Sequence, residues 1–351
     1  MKLLPISPES LEQGGIILKN GGLVAFPTET VYGLGADAFN PQALAKIFEV
    51  KGRPHFDPLI IHIAAIKTLD KVADLSLLNE ETKKKLFLLA ENLWPGPLSI
   101  VLPKNEKIPG IATAGLQTAA IRFPDHEAAQ KLIYLSTGAV AAPSANPFGS
   151  LSPTKAEHVQ NGLGEKPDLI LDGGPTRIGL ESTVLDITGD VIKILRPGGT
   201  PKEAIEKLVG CTQLTINNEQ LTVNNKQNAL VSPGLLKSHY APRTPLYVLS
   251  RDEIINKPIS LNSNENQKIA YLFFDEAARN EWHNKQKPSE TVIVKVLSQK
   301  GDSLEAASCL FEILHELDNF NLSNIYAQSA PNIGLGEAIN DRLRRGSVKN
   351  Y

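Results

Sequence analysis

Short apolar runs that stop at proline or glycine alternate along the chain with stretches whose apolar residues recur every three or four positions. The first kind of run reads as buried strand and the second as amphipathic helix. Residues 8–20 read as a helix burying Leu11, Ile16 and Ile17. Residues 23–26 are a short strand that ends at Pro27. Asn40-Pro41 is an N-cap with proline in the first turn. The helix it opens carries Leu44, Ile47 and Phe48 on one face and delivers Lys51 and Arg53 at its end. Residues 59–63 form an apolar strand with one polar member, His62. A short helix is expected over 66–73. Asn79 caps a helix to about residue 92, striped by Leu86, Leu89 and Leu93, which Trp94-Pro95-Gly96-Pro97 stops. Strands follow over 98–102 and 118–123, the second carrying Arg122 in apolar company. Asp125 is expected to cap a helix over 126–135. A small-residue strand, 138–142, breaks into Pro143-Ser144-Ala145-Asn146-Pro147. A helix over 154–160 and a strand over 168–171 precede a hairpin of 182–187 with 191–196 across Gly189-Asp190. A last helix runs to about residue 209.

Residues 210–227 are polar and rich in Asn, Gln and Thr, as in a linker. Residues 232–246 hold too many prolines for regular structure, yet carry Leu235, Leu236, His239 and Tyr240, so a loop docked on something is expected. Beyond 246, strands (246–249, 269–273, 291–296, 324–328) alternate with helices (303–317, 335–344), the pattern of a small parallel α/β domain.

The 351 residues, 42% of them hydrophobic, are ample for two domains. A net charge of −2 argues against a general nucleic-acid coat protein, and the basic group Arg342, Arg344, Arg345 and Lys349 reads as a solvated helix end. Two distant cysteines, Cys211 and Cys309, argue against a disulfide scaffold and a thiolate zinc site and suit a reducing cytoplasm. The first residues lack the pattern of a signal peptide, and no run approaches the roughly 20 apolar residues of a membrane helix.

Candidate chemistry clusters at strand ends, where open α/β sheets build ligand sites. Lys51 and Arg53 suit a phosphate, although cations near a helix C-terminus also complement its dipole. Arg122, in an apolar strand, must point outward, meet a carboxylate or bind an anion. His62 poses the same question, with a neutral core histidine as the plain alternative. Gly33 and Gly35 would let the backbone approach a bound group. Ser144 and Asn146 suit nucleotide oxygens, or simply a turn. The stretch 174–179 has P-loop spacing, but Leu180-Glu181 stands where lysine and a hydroxyl are needed. No HExxH, nucleophile elbow or third dinucleotide glycine is present. Such a site works by positioning and electrostatics.

The motifs AFPTETVYGLGADA (25–38), KGRPHFDPLIIHI (51–63), TAAIRFP (118–124), APSANPFGSLSPT (142–154), GLESTVLD (179–186), LRPG (195–198) and SPGLLKSHYAPRTPL (232–246) together resemble the L-threonylcarbamoyl-AMP synthases in their long, two-domain form. The resemblance implies an α+β catalytic domain over 1–209, an open twisted mixed sheet with flanking helices of the YrdC-like kind. It further implies a linker over 210–243 that docks over the active site and a Rossmann-like α/β domain over 244–351. The implied enzyme is a nucleotidyltransferase making threonylcarbamoyl-AMP and pyrophosphate from L-threonine, bicarbonate (or CO2) and ATP, with magnesium accompanying the ATP and no metal held by protein alone. The product would pass to a tRNA threonylcarbamoyl transferase acting beside the anticodon of tRNAs reading ANN codons, in the cytoplasm and away from membranes; direct tRNA contact stays open. Carried over by position, the threonine site is Thr30, His62, Arg122, Ala142 and Ser182. The ATP site is Lys51, Arg53, Asp57, Thr118, Ser144, Asn146, Ser152, Arg196 and Tyr240, with Lys51 and Arg53 also catalytic. The family pattern has asparagine where this chain has Asp57, so Asp57 would need Arg53 or a metal ion to balance it. A carbamoyl-phosphate-using relative would need zinc-binding cysteine repeats, which are lacking here. A nucleotide- or RNA-binding regulator on the same fold is the other reading.

Overall fold

The computed structural model describes residues 2–210, the backbone of 215–216, and residues 239–259, 268–286 and 288–348. Two compact units emerge: Met1–Phe148 with Ser152–Arg177 and Glu181–Leu235, and Gly149–Leu151 with Ile178–Leu180 and Leu236–Tyr351. Two short pieces of the span 1–209 therefore cluster with the second unit. Most of the span 210–243 lies outside the described residues.

The first unit runs β1 (Lys2–Pro5), α1 (Pro8–Lys19), β2 (Val24–Phe26), β3 (Gly33–Asp37), α2 (Pro41–Lys51), β4 (Ile60–Ile63), α3 (Leu69–Val72), α4 (Glu80–Leu93), β5 (Leu98–Pro103), β6 (Thr118–Arg122), α5 (Glu127–Leu135), β7 (Ala139–Ala141), α6 (Ala156–Leu163), β8 (Leu169–Asp172), β9 (Thr183–Asp186), β10 (Lys193–Arg196), α7 (Lys202–Val209) and β11 (Thr215–Ile216). Its strands form one mixed sheet in the order β1-β8-β2-β3-β7-β4-β6-β5-β9-β10-β11. β9 and β10 pair antiparallel as the expected hairpin.

Alternation along the strands sends successive side chains to opposite faces. On one face Ile61, Ile63, Leu98, Ile100, Leu102 and Ile121 pack under α2, α4, α6 and α7 in the main core. On the other, Val24, Phe26, Val140, Leu169 and Leu171 pack under α1 and α5. Further along that second face lies a small apolar patch, Ile60, Val101, Ala120, Val184 and Leu195, to which no helix contributes.

Local chemistry explains most boundaries. Asn40 accepts from the amides of Gln42 and Ala43, Pro41 fills the first turn, and Gly52 ends α2 in the left-handed conformation at φ 61°. Asn79 caps α4 by accepting from the Thr82 amide.

Several expectations fail for physical reasons. α1 buries Leu11, Gly14, Gly15 and Leu18, leaving Ile16 58% exposed, because two glycines let α5 approach on the other stripe. Asp125 does not cap α5; its carboxylate pairs with Arg177, and His126 occupies the cap position without a side-chain bond. Gly33 and Gly35 lie inside β3, a strand with no apolar run to betray it. A Cβ on Gly35 would stand 2.7 Å from the Phe26 ring and 2.8 Å from Val140, so this glycine serves sheet packing and not a ligand. β1, four residues with one lysine and a closing proline and mostly exposed, is an edge strand paired with β8.

The second unit runs β12 (Leu246–Leu249), α8 (Arg251–Asn256), β13 (Ile269–Asp275), α9 (Glu276–Lys285), β14 (Val292–Ser298), α10 (Ser303–Leu317), β15 (Asn324–Gln328) and α11 (Gly336–Gly346). Its strands are parallel throughout, in the order β12-β15-β13-β14. α8 and α9 escape sequence reading because each buries only two side chains, Ile254 and Ile255 in the first, Ala278 and Trp282 in the second. On α10, Leu304 is 52% exposed, and Ala306, Ala307, Leu310, Phe311, Leu314 and Leu317 are the buried set.

The basic helix end is not simply solvated. Arg342 is 1% exposed, with Nη1 2.7 Å from Asp341 Oδ2 and its guanidinium carbon 4.9 Å from the Tyr240 ring centre. Arg345 Nε also meets Asp341, at 3.0 Å. Arg344 is exposed as expected, and Lys349 lies outside the described residues.

Candidate active site

Strand register builds the site from one row across the second face of the sheet. β4 and β6 run parallel with His62 opposite Arg122. β5 runs antiparallel to β6 with Ser99 opposite Arg122. Thr118 and Ala120 share that face of β6 by alternation, beside the small apolar patch. Three strands thus bring an imidazole, a guanidinium and a hydroxyl to one level although they are far apart in sequence.

Arg122 meets a carboxylate, one of the three outcomes its apolar strand allowed. Its Nη2 stands 2.7 Å from Glu29 Oε1, both side chains being almost fully buried, and its Nε donates to the Gly96 carbonyl at 3.3 Å. The pair is close but not aligned as a hydrogen bond: Arg122 Nη2 and both Glu29 oxygens lack hydrogen-bond partners among the described residues. Glu29 comes from the turn after β2. There Thr28 Oγ1 accepts from the Thr30 and Val31 amides at 3.2 and 3.3 Å and donates to the Val31 carbonyl at 2.7 Å. The Thr30 hydroxyl therefore donates in its 2.8 Å contact with Thr28.

His62 is neutral. Burial, then the Arg122 charge, pushes its pKa down to about 3. Its Nδ1–H donates to the Ile60 carbonyl at 3.1 Å, which fixes the tautomer.

Ser182 opens the hairpin and shares a 2.8 Å hydrogen bond with Ser99. Arg196, at the hairpin's far end, donates through Nη2 to the Ser182 carbonyl at 2.8 Å and to its hydroxyl at 3.3 Å. Gly198 makes this possible: a Cβ there would stand 2.3–2.4 Å from the backbone of Glu181, Ser182 and Thr183.

A second group gathers around the end of α2. Lys51 turns away from its own helix end; its ammonium donates to the Ser144 carbonyl at 2.6 Å and to the Asn146 carbonyl. Burial, with the Arg53 charge adding to it, holds Lys51 well below the usual lysine range, while Asp57 and Glu181 pull the other way. Arg53 closes its own loop, donating to the carbonyls of Asp57 at 3.1 Å and Pro58 at 2.8 Å, and its Nη2 lies 2.9 Å from Asp57 Oδ2. Asp57 is therefore balanced by Arg53. Ser152 donates to the buried Glu181. Ala142 is buried after β7, its amide on the Ile60 carbonyl at 3.0 Å.

Tyr240 belongs to the second unit, where it is 2% exposed, has φ 62° and lies against His239, Phe311 and Arg342. Among the described residues no group of three or more His, Cys, Asp or Glu side chains could hold a metal ion.

Sequence reading missed Glu29, Ser99 and Glu181. Ser99 carried the signal that exposed His62 and Arg122, a single polar residue in an apolar strand. Glu29 and Glu181 sit in polar turns, where a carboxylate is unremarked.

Comparison with known proteins shows the family to which the chain belongs. A family profile described as "Telomere recombination", covering the Sua5, YciO and YrdC proteins, matches residues 16–198, and one described as "Threonylcarbamoyl-AMP synthase, C-terminal domain" matches residues 200–347. A threonylcarbamoyl-AMP synthase of Pyrococcus abyssi is 40% identical over 94% of this chain and 92% of its own. One of Bacillus subtilis is 38% identical over 98% and 94%. The crystal structure of P. abyssi Sua5 complexed with L-threonine superposes with a TM-score of 0.85, at 37% identity, over 99% of this chain and 98% of that one.

Proposed function

Because the chain belongs to the threonylcarbamoyl-AMP synthase family, we propose that it joins L-threonine, bicarbonate and ATP into L-threonylcarbamoyl-AMP, releasing pyrophosphate. The observation that carries this reading is the row of Arg122, neutral His62 and Ser99 on one sheet face, in a chain that aligns along its length with a threonine-bound relative. Arg122 grips the amino acid carboxylate. Thr30, His62, Ala142 and Ser182 complete that site; a neutral imidazole accepts or donates to a hydroxyl without adding charge. Lys51 and Arg53, with Thr118, Ser144, Asn146, Ser152 and Arg196, receive ATP.

The threonine amine, once it has given up its ammonium proton, and bicarbonate give a carbamate and water. A carbamate oxygen then bonds to the α-phosphorus, and the bond from that phosphorus to the bridging oxygen of the β-phosphate breaks. Negative charge moves onto the departing pyrophosphate, where two fixed cations in a water-poor site stabilise it. Magnesium enters on the triphosphate, the usual manner of a small cation that keeps few protein ligands. The product goes to a separate transferase that modifies tRNA. The cytoplasm is the compartment that suits two cysteines so far apart in sequence.

The test is pyrophosphate release by the purified chain with ATP and magnesium, adding L-threonine and bicarbonate singly and together. Release that needs both, with L-serine much poorer, is the expected result. Release without threonine overturns the reading, and ATP binding without release favours a nucleotide-binding regulator.

A further inference from the structure

The Glu29–Arg122 pair is incomplete as a purely structural ion pair. A buried charge pair is stable when hydrogen bonds satisfy the remaining lone pairs and protons. Here Glu29 is 2% exposed and Arg122 4% exposed, yet Oε1, Oε2 and Nη2 lack aligned partners among the described residues. Buried polar atoms without protein partners are rare, and each marks strain, a catalytic or binding role, or a bridging water or ion. Arg122 stands in the row between His62 and Ser99, and Glu29 comes from a turn pinned by three hydrogen bonds at the Thr28 hydroxyl, two accepted and one donated.

We propose that Glu29 and Arg122 are the two ends of a clamp for a zwitterion, Arg122 taking the carboxylate of the amino acid and Glu29 its α-ammonium. The inference rests on the reading that the substrate is L-threonine, and adds a residue to which that reading gives no role. The charge arithmetic supports it. Glu29 and Arg122 sum to zero, and a free amino acid also sums to zero, so binding leaves no net buried charge. A simple carboxylate would satisfy Arg122 and strand Glu29. The plain alternative is that Glu29 only neutralises Arg122. In that case Glu29 would not distinguish ligands with and without an amine.

Discrimination therefore tests the clamp. The full-length protein is titrated calorimetrically with L-threonine and with (R)-3-hydroxybutyrate, which keeps the carboxylate and the hydroxyl but has no amine. The wild type is expected to bind threonine at least about tenfold more tightly, the worth of one hydrogen bond between charged groups. In Glu29→Gln the two affinities converge to within about threefold, mainly through lost threonine binding. Glu29→Asp keeps the charge on a shorter stem and retains part of the preference, which covers the case in which the glutamine variant does not fold. Equal binding of both ligands by the wild type, or full discrimination in a folded Glu29→Gln, overturns the clamp alone. Wild-type protein that binds neither, and releases pyrophosphate without threonine, overturns the substrate reading and the clamp with it.

Discussion

Arg53 and Asp57 neutralise each other four residues apart, and on the proposed reading that pairing tempers the attraction for phosphate. The guanidinium has two carbonyls and one carboxylate as partners. Asp57→Asn keeps the shape and removes the opposing charge. ATP KM is expected to fall about three- to tenfold, the effect of roughly 1 kcal/mol from one charge; unchanged KM and magnesium dependence would remove Asp57 from the site. His62 yields a prediction in pH. Its folded pKa, about 3, lies below the ordinary 6.5, so the unfolded chain holds the proton more readily. Its contribution to stability is thus fully present above pH 6.5 and is lost as pH falls from there toward 3. Urea unfolding of His62→Asn should show a shallower loss over that window than the wild type, and parallel curves would mean the imidazole is not held neutral. The demand for a partner at Arg122 was legible from its apolar strand. That the partner is Glu29 was not, because no local pattern links a turn after β2 to the end of β6.

At the scale of elements, the β9–β10 hairpin and the turn after it carry the site's geometry. Gly198 presses against the backbone of residues 181–183, and Gly199 donates its amide to the Glu181 carbonyl at 2.9 Å. Backbone cannot yield as a flexible side chain can. Gly198→Ala is therefore expected to cost about 1–3 kcal/mol or more by overpacking, and to displace Ser182. Thermal unfolding together with threonine affinity checks this; a variant with wild-type values in both would show that the hairpin accommodates the methyl. Helix starts and the hairpin were readable because caps, prolines and turn residues act within a few positions. β3 was hidden because it lacks an apolar run, its Gly35 being demanded by Phe26 and Val140 on other strands.

At the scale of the whole molecule, both units bury charge, and in the second this happens where a solvated helix end was expected. In the second unit Asp341 takes both Arg342 and Arg345, and Tyr240 lies over the Arg342 guanidinium. Arg342→Ala is expected to cost about 3 kcal/mol, since it uncovers a buried carboxylate, whereas the exposed Arg344→Ala should change stability by less than about 0.5 kcal/mol. Equal effects in chemical denaturation would return the cluster to the solvated reading. Among the described residues no helix is long and apolar enough to cross a membrane.

The sequence by itself determined most of the elements of the first unit, the parallel strands of the second and the family, because periodicity, caps and contiguous motifs are encoded within short spans of chain. It also marked the residues needing partners, since a charge in an apolar strand is costly wherever the strand lies. Only the tertiary structure decided which partners they receive. Register aligned His62, Arg122 and Ser99, and a turn from elsewhere in the sheet supplied Glu29. Pairing across a sheet depends on the relative position of strands distant in sequence, and no span of one strand contains that information.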